Sequence, residues 1–224
     1  MNPVKFIHCA DIHMDMPFSS IRTDDGKSSS RRQDLREVFY KIISTAKCEN
    51  ADLLLISGDL YEHEYVRKST INYVNELFNG IPDIKVFIIP GNHDPYTIDS
   101  YYRNYNWSSN VHILCKDKPY VFLEDLSTCI YGTGFKGVDG ENRLLESIRL
   151  NDPQVINILM FHGTVDMNIG KNVYNPVSSE YLESLSMDYI ALGHFHTVIS
   201  GAGSTGRIFN PGSPEPLGFD EQGE

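Results

Sequence analysis

Five apolar runs in this chain each end in a short polar block built from metal-ligating residue types. In order, the blocks are Asp11-Ile12-His13, Gly58-Asp59, Gly91-Asn92-His93-Asp94, His162-Gly163 and Gly193-His194-Phe195-His196. Short apolar runs bounded by turn residues read as buried strands, so every block sits at a strand end. Only a fold that gathers several strand ends in one place lets these Asp, Asn and His side chains act together.

The runs predict strands at 4–9, 52–56, 85–89, 111–114, 120–123, 129–132, 155–161 and 189–192, with 198–200 and 207–209 as a closing pair across a Gly-rich turn. Residues 17–33 are polar, with Asp24-Asp25-Gly26 and Ser28-Ser29-Ser30, and predict a long loop. Asp34 is placed to cap a helix whose Leu35, Val38, Phe39, Ile42, Ile43 and Ala46 recur at helical spacing. A second helix fits 69–78, with Ile71, Val74 and Phe78 on one face. The first half alternates strand and helix and the second is richer in strands, which predicts an α+β arrangement of two packed sheets with helices outside. No linker or repeat interrupts 1–224, so one domain is expected.

The longest apolar runs are far too short to span a bilayer, and Met1 leads directly into a strand with no charged-then-apolar leader. That predicts a cytoplasmic protein with no membrane association. Cys9, Cys48, Cys115 and Cys129 are scattered without a C-x-x-C pair, as expected of reduced thiols rather than a metal site. The formal charge of −11 argues against coating nucleic acid by electrostatics alone, yet two divalent ions would bring it to −7 and make the pocket locally cationic.

Asp11 and His13 are two apart on an extended segment and can point the same way, toward one ion. Asp59 follows Gly58 at a strand end, where a carboxylate can bridge two cations; Asn92 offers a neutral oxygen. His162, His194 and His196 complete a mixed imidazole–carboxylate set that suits Mn, Fe, Zn or Co better than Ca.

Together the blocks resemble the signature of the calcineurin-like metallophosphoesterase superfamily, across residues 11–196. The resemblance implies a four-layer αββα sandwich of two mixed sheets flanked by helices. It implies two divalent ions, most simply Mn with Fe, Zn, Co or Mg as alternatives: Asp11, His13, Asp59 and His196 around one, Asp59, Asn92, His162 and His194 around the other, and Asp59 with a hydroxide bridging them. His93 resembles the histidine that stabilises the transition state or protonates the leaving oxygen, and Asp94 is expected to orient it.

Asp94 and the segment Gly58-Asp59-Leu60-Tyr61-Glu62-His63 do not fit the protein-phosphatase branch. Ala10-Asp11-Ile12-His13, Ser57-Gly58-Asp59-Leu60-Tyr61 and 210–219 are similar to the DNA repair nucleases of the SbcD and MRN-complex type. That implies a DNA exo- or endonuclease working as a dimer with an SbcC-like coiled-coil ATPase. Two departures stand out. Those nucleases carry a histidine three residues after the bridging aspartate, where this chain has Glu62, with His63 one place later; and their capping domain is absent from 1–224. Arg22, Lys27, Arg31 and Arg32 could grip backbone phosphates, and Tyr61 and Tyr96 could stack on a base or pack under the loops. Tyr101, Tyr102, Tyr105 and Trp107 read equally as core, substrate platform or partner surface. The rival readings are a small-substrate phosphodiesterase or nucleotide phosphatase and, with every ligand position and His93 filled, less favourably a non-catalytic scaffold.

Overall fold

Strands that are apolar on both faces must be covered on both faces, and this requirement sets the architecture. The computed structural model describes residues 3–18, 25–136, 145, 148–166 and 174–217. The side chain of Lys27, together with Arg22, Gly218 and Phe219, lies outside the described residues. A four-stranded sheet holds β1 (Phe6–Cys9), β2 (Leu53–Ser57), β3 (Lys85–Ile89) and β4 (Val111–Ile113) in sequence order, all parallel. A second sheet holds β5 (Tyr120–Leu123), β6 (Thr128–Gly132), β7 (Ile156–His162), β8 (Tyr189–Gly193), β9 (Val198–Ala202) and β10 (Ile208–Pro211), in the order β5-β6-β7-β8-β10-β9 with mixed directions. The expected pair of sheets is present; the mixed character belongs to the second alone.

Right-handed crossovers in a sheet whose order never reverses place every connecting helix on one face. α1 (Asp25–Cys48) and α2 (Lys68–Asn79) accordingly share a core with Leu54, Ile56, Val86 and Ile88, through Leu35, Phe39, Ile43, Ile71, Val74 and Phe78. The alternate residues Leu53, Leu55, Phe87 and Ile89 face the other sheet and pack with Ile130, Ile158, Met160 and Ala191. Beyond that sheet, Tyr131, Leu159, Phe161 and Ile190 lie under Leu182 of α4 (Ser179–Ser184). Four layers result, and truncating any of the large aliphatic or aromatic residues among them to Ala costs about 2–5 kcal/mol.

α1 corrects one expectation. It begins at Asp25, so 25–33 are helical and Asp34 lies inside the helix rather than capping it. No apolar period marks this first stretch. It is held instead by tertiary contacts: Arg31 bonds Glu215 and the carbonyl of Pro216, and its guanidinium lies 5.4 Å over the Phe18 ring. Packing overrides a weak local propensity. Two short helices, α3 (Tyr101–Asn104) and α4, carry no periodic signal in the sequence; each is capped by a serine, Ser100 or Ser178, accepting a backbone N–H.

A polar tie joins the sheets near this end. His8 Nδ1 meets the Tyr189 hydroxyl at 3.1 Å and Nε2 the Leu192 carbonyl at 2.9 Å, while the Ser57 hydroxyl donates to the Ala191 carbonyl at 3.1 Å. Burial lowers His8 to a pKa of about 4, so it is neutral at physiological pH.

Candidate metal centre

The five blocks lie at or just past the carboxyl ends of β1, β2, β3, β7 and β8, where open parallel sheets bind their ligands. Past the strands the loops continue to pair. Asp11 N–H donates to the Gly58 carbonyl (3.2 Å), His13 N–H to Asp59 (3.0 Å), Met14 N–H to Leu60 (3.0 Å), and Glu62 N–H back to Met14 (3.0 Å). Asp11, His13, Asp59 and His194 adopt φ of 54°, 51°, 52° and 95°. Non-glycine residues rarely enter this left-handed region, and such strain concentrates at functional sites. Two glycines allow the layers to close: a Cβ on Gly91 would lie 2.1 Å from Asp59 Oδ1, and one on Gly193 2.1 Å from the Ser57 carbonyl.

The side chains converge in two groups. Ligand atoms of Asp11, His13 and His196 lie within 4.8 Å of one another, as do those of Asp59, His162 and His194. Asp59 Oδ2 stands between them, 3.7 Å from His13 Nε2 and 3.2 Å from His162 Nε2. Asn92 Oδ1 joins the second group, 3.0 Å from His162 Nε2 and 3.2 Å from His194 Nδ1.

The imidazoles are pre-oriented. His162 Nδ1 donates to the Ser57 carbonyl at 2.7 Å, leaving Nε2 as a donor atom for a cation. His13 Nδ1 meets Glu62 Oε1 at 2.7 Å, and its Nε2 is buried without a hydrogen-bond partner. A buried, unpartnered imidazole nitrogen beside two carboxylates fits a divalent ion, and the Asp–His–Asn donor set suits one of the Mn–Zn series.

Charge in the cluster is tightly coupled. Burial pushes the Asp11 carboxyl up to about 6. Burial opposes ionisation of Asp59 as well, but His162, His13 and His93 outweigh it and hold its carboxyl far below the usual range. Burial alone would lower His162; the Asp59 and Asp11 carboxylates instead push it up to about 9. His194 falls to about 4 through burial and the neighbouring His162. Because ligation needs neutral imidazole, a metal ion bound here would displace protons.

A third group, His13, Glu62 and His93, carries no signal in the spacing of the sequence. Glu62 Oε2 meets His93 Nδ1 at 3.0 Å, so one carboxylate orients two histidines. Hydrogen bonds from both overcome burial and hold Glu62 near a pKa of about 2, while the Glu62 bond pushes His93 up to about 9. The His93 side chain is 43% exposed, open to a substrate, and its backbone N–H donates to Asp59 Oδ1 at 2.9 Å.

Asp94 does not orient His93. Its buried oxygens accept from the N–H groups of Gly91 (2.6 Å), Leu60 (2.7 Å), Asp59 (3.2 Å) and Tyr61 (3.3 Å) and from the Tyr102 hydroxyl (2.5 Å). It staples the second and third blocks together, and Glu62 takes the role expected of it. Arg31 is also reassigned: its guanidinium serves Glu215 rather than a ligand. Tyr61 is 1% exposed, with its hydroxyl on Ser100 and its ring against Tyr102, and is core rather than a stacking platform. Tyr101, Tyr102, Tyr105 and Trp107 pack against the α1–α2 core, which decides among their three readings. His63 pairs with Asp99 at 3.4 Å and borders a cavity of about 570 Å³ with Lys68, Tyr101 and Tyr105; its backbone N–H donates to the His93 carbonyl. Arg32 borders a separate cavity, described below.

The family model of the calcineurin-like phosphoesterases matches residues 4–198. The chain is similar to the "uncharacterized metallophosphoesterase YhaO" of Bacillus subtilis (strain 168), 25% identical over 231 residues that cover 100% of this chain and 56% of the relative. It is 26% identical to the SbcD component of the SbcCD nuclease of Staphylococcus saprophyticus, covering 86% and 56%. It is 24% identical to the DNA double-strand break repair protein Mre11 of Saccharolobus solfataricus, covering 87% and 50%. The chain thus spans about half the length of the curated relatives it matches. The crystal structure of TT1561 from Thermus thermophilus shares the fold, with a TM-score of 0.57 at 13% identity over 94% of this chain and 90% of that one.

Proposed function

Since the chain belongs to the calcineurin-like phosphoesterase family, a class of hydrolases acting on ester bonds, we propose that it is a dinuclear phosphodiesterase whose substrate is DNA. One observation carries the reading: the Asp59 carboxylate lies between two ligand groups, with His93 held beside them by Glu62. In this reading Asp11, His13, Asp59 and His196 hold one ion, and Asp59, Asn92, His162 and His194 the other, with Mn²⁺ as the working metal. The two ions, when bound, supply Lewis acidity toward the phosphoryl oxygens and a lowered pKa for water.

The protein's own part is to orient and to move a proton. Ser57 and Glu62 fix the tautomers of His162 and His13. His93, kept protonated by Glu62, donates through Nε2 to the leaving oxygen, a step worth about 10²–10⁴-fold. DNA as the substrate draws support from the similarity to the SbcD component of SbcCD and to Mre11. A cytoplasmic location is consistent with four free cysteines, and a coiled-coil ATPase is the partner class this reading carries. A small phosphodiester is the second reading, favoured by Glu62 at the position where the nuclease resemblance expects histidine.

The test is Mn²⁺-dependent degradation of end-labelled single- and double-stranded DNA beside bis-(p-nitrophenyl) phosphate. Cleavage of DNA that falls about 10²–10⁴-fold in His93→Ala while metal content is retained supports the reading. Hydrolysis of the small diester without DNA cleavage moves it to the second.

A further inference from the structure

Outside the candidate ligand set, guanidinium groups converge where a chain of net charge −11 would least be expected to spare them. Arg32, Arg36 and Arg67 line one cavity of about 400 Å³, together with Asp15, Ser29 and Ser69. Its walls come from α1, from the segment after His13 and from the residues that lead into α2. Asp15 is the one acid among these residues, and it is already engaged. Its Oδ2 accepts from the Thr70 hydroxyl at 2.6 Å and from the Arg67 N–H at 3.0 Å, which ties down the start of α2. Arg36 is likewise committed, donating to Thr70 Oγ1 at 2.8 Å, 3.9 Å from Asp15 Oδ1 and 5.4 Å over the Tyr73 ring. Arg32 and Arg67 have no carboxylate partner among the residues lining the cavity. Three cations against one acid leave the cavity with a surplus of two positive charges, carried on planar forks that match phosphate oxygens, with serine hydroxyls alongside.

Position gives the surplus a use. Asp15 follows His13 by two residues, at most about 7 Å of chain, and the residues past Glu62 run into the opposite wall. The cavity therefore adjoins the metal centre on its His13 side. We propose that it is a phosphate subsite that holds a non-scissile phosphate of an extended phosphodiester strand while a neighbouring linkage lies at the metals. The inference rests on the phosphodiesterase reading above and names the substrate feature that reading lacks: a second phosphate. Phosphate contacts of this kind fix register without reading sequence.

The experiment uses the full chain loaded with Mn²⁺, in a His93→Ala background for binding and in the wild-type background for turnover. The probes are a labelled single-stranded oligonucleotide and bis-(p-nitrophenyl) phosphate, which has one phosphate and none to place in the subsite. In Arg32→Ala/Arg67→Ala, oligonucleotide affinity by fluorescence anisotropy is expected to fall about tenfold or more. The slope of log K against log salt should flatten by about 0.7 per arginine. The ratio of kcat/KM, oligonucleotide over small diester, should fall by a similar factor. Arg32→Lys/Arg67→Lys should keep the salt slope while recovering part of the affinity. Unchanged affinity and slope in the alanine variant, or an unchanged kcat/KM ratio, overturns the subsite. Arginine-dependent binding without cleavage by the wild type overturns the nuclease reading and leaves the subsite standing. Cleavage with arginine-independent affinity does the reverse, and no oligonucleotide binding by the wild type overturns both.

Discussion

His162 is oriented by a backbone carbonyl, His13 by a side chain. The Ser57 carbonyl and Glu62 Oε1 stand at the same 2.7 Å from the two Nδ1 atoms, yet the arrangements differ in what they permit. A carbonyl at the end of β2 cannot be removed by substitution, so the His162 side of the centre is fixed by the sheet itself. The carboxylate on the His13 side is ionised, makes the imidazole a more basic donor, and has a second oxygen free to hold His93. One side is built for rigidity. The other joins two histidines, His13 and His93, through one carboxylate.

Substituting the residue both sides share should have the largest effect. Asp59→Asn removes the charge between the groups and is expected to cost several kcal/mol of transition-state stabilisation, about 10³-fold or more in kcat. Both ions should be lost in elemental analysis; one retained equivalent would show that the sides are independent.

The next effect concerns what lies beneath the His162 side. His8, whose pKa falls from 6.5 to about 4, bonds Leu192 next to the ligand strands. The unfolded chain binds this proton at higher pH than the folded one. Stability from neutral His8 is therefore complete above pH 6.5 and declines as pH falls toward 4, by at most about 3 kcal/mol. Urea titrations in chelator should show this slope flattened in His8→Gln; an identical slope would remove His8 from the acid response.

Glu62→Gln should act on the His13 side alone. It places an amide N–H where His93 or His13 needs an acceptor, and should cost about 10–100-fold in activity with one metal equivalent retained. Equal loss of both ions would erase the contrast. Smallest is Ser57→Ala, which leaves the carbonyl and removes the hydroxyl with its bond to the Ala191 carbonyl and its 3.2 Å contact with His8 Nε2, about 1 kcal/mol of stability; a drop in metal content would show that the sheet end is less rigid than its carbonyl geometry implies.

The same contrast explains what could be read from the chain. The candidate ligand residues lie at the ends of apolar runs, so their positions are a local signal, whereas their division into two groups is implied only by the family resemblance; β3 falls on 85–89 as its pattern predicts. The supports are not local. Glu62 takes the orienting role expected of Asp94 because the direction of a loop side chain depends on pairing between the 59–62 and 91–94 loops, which no periodicity encodes. Arg31 lies 184 residues from Glu215, and without that contact the polar stretch 25–33 looks like a loop. Tyr61 keeps both stacking and packing open in the sequence because burial of a loop aromatic is decided by the segment folded over it, here Ser100 and Tyr102.

The left-handed residues have a consequence for how metal and protein depend on each other. Asp11, His13 and Asp59 are locked by hydrogen bonds within the chain from Gly58 to Glu62 and by the Asp94 staple. None of those bonds requires a cation. Cations bound there would therefore be guests in a cradle that the chain itself completes, and the chain is expected to exchange one metal for another without unfolding, which chelator titration followed by circular dichroism checks.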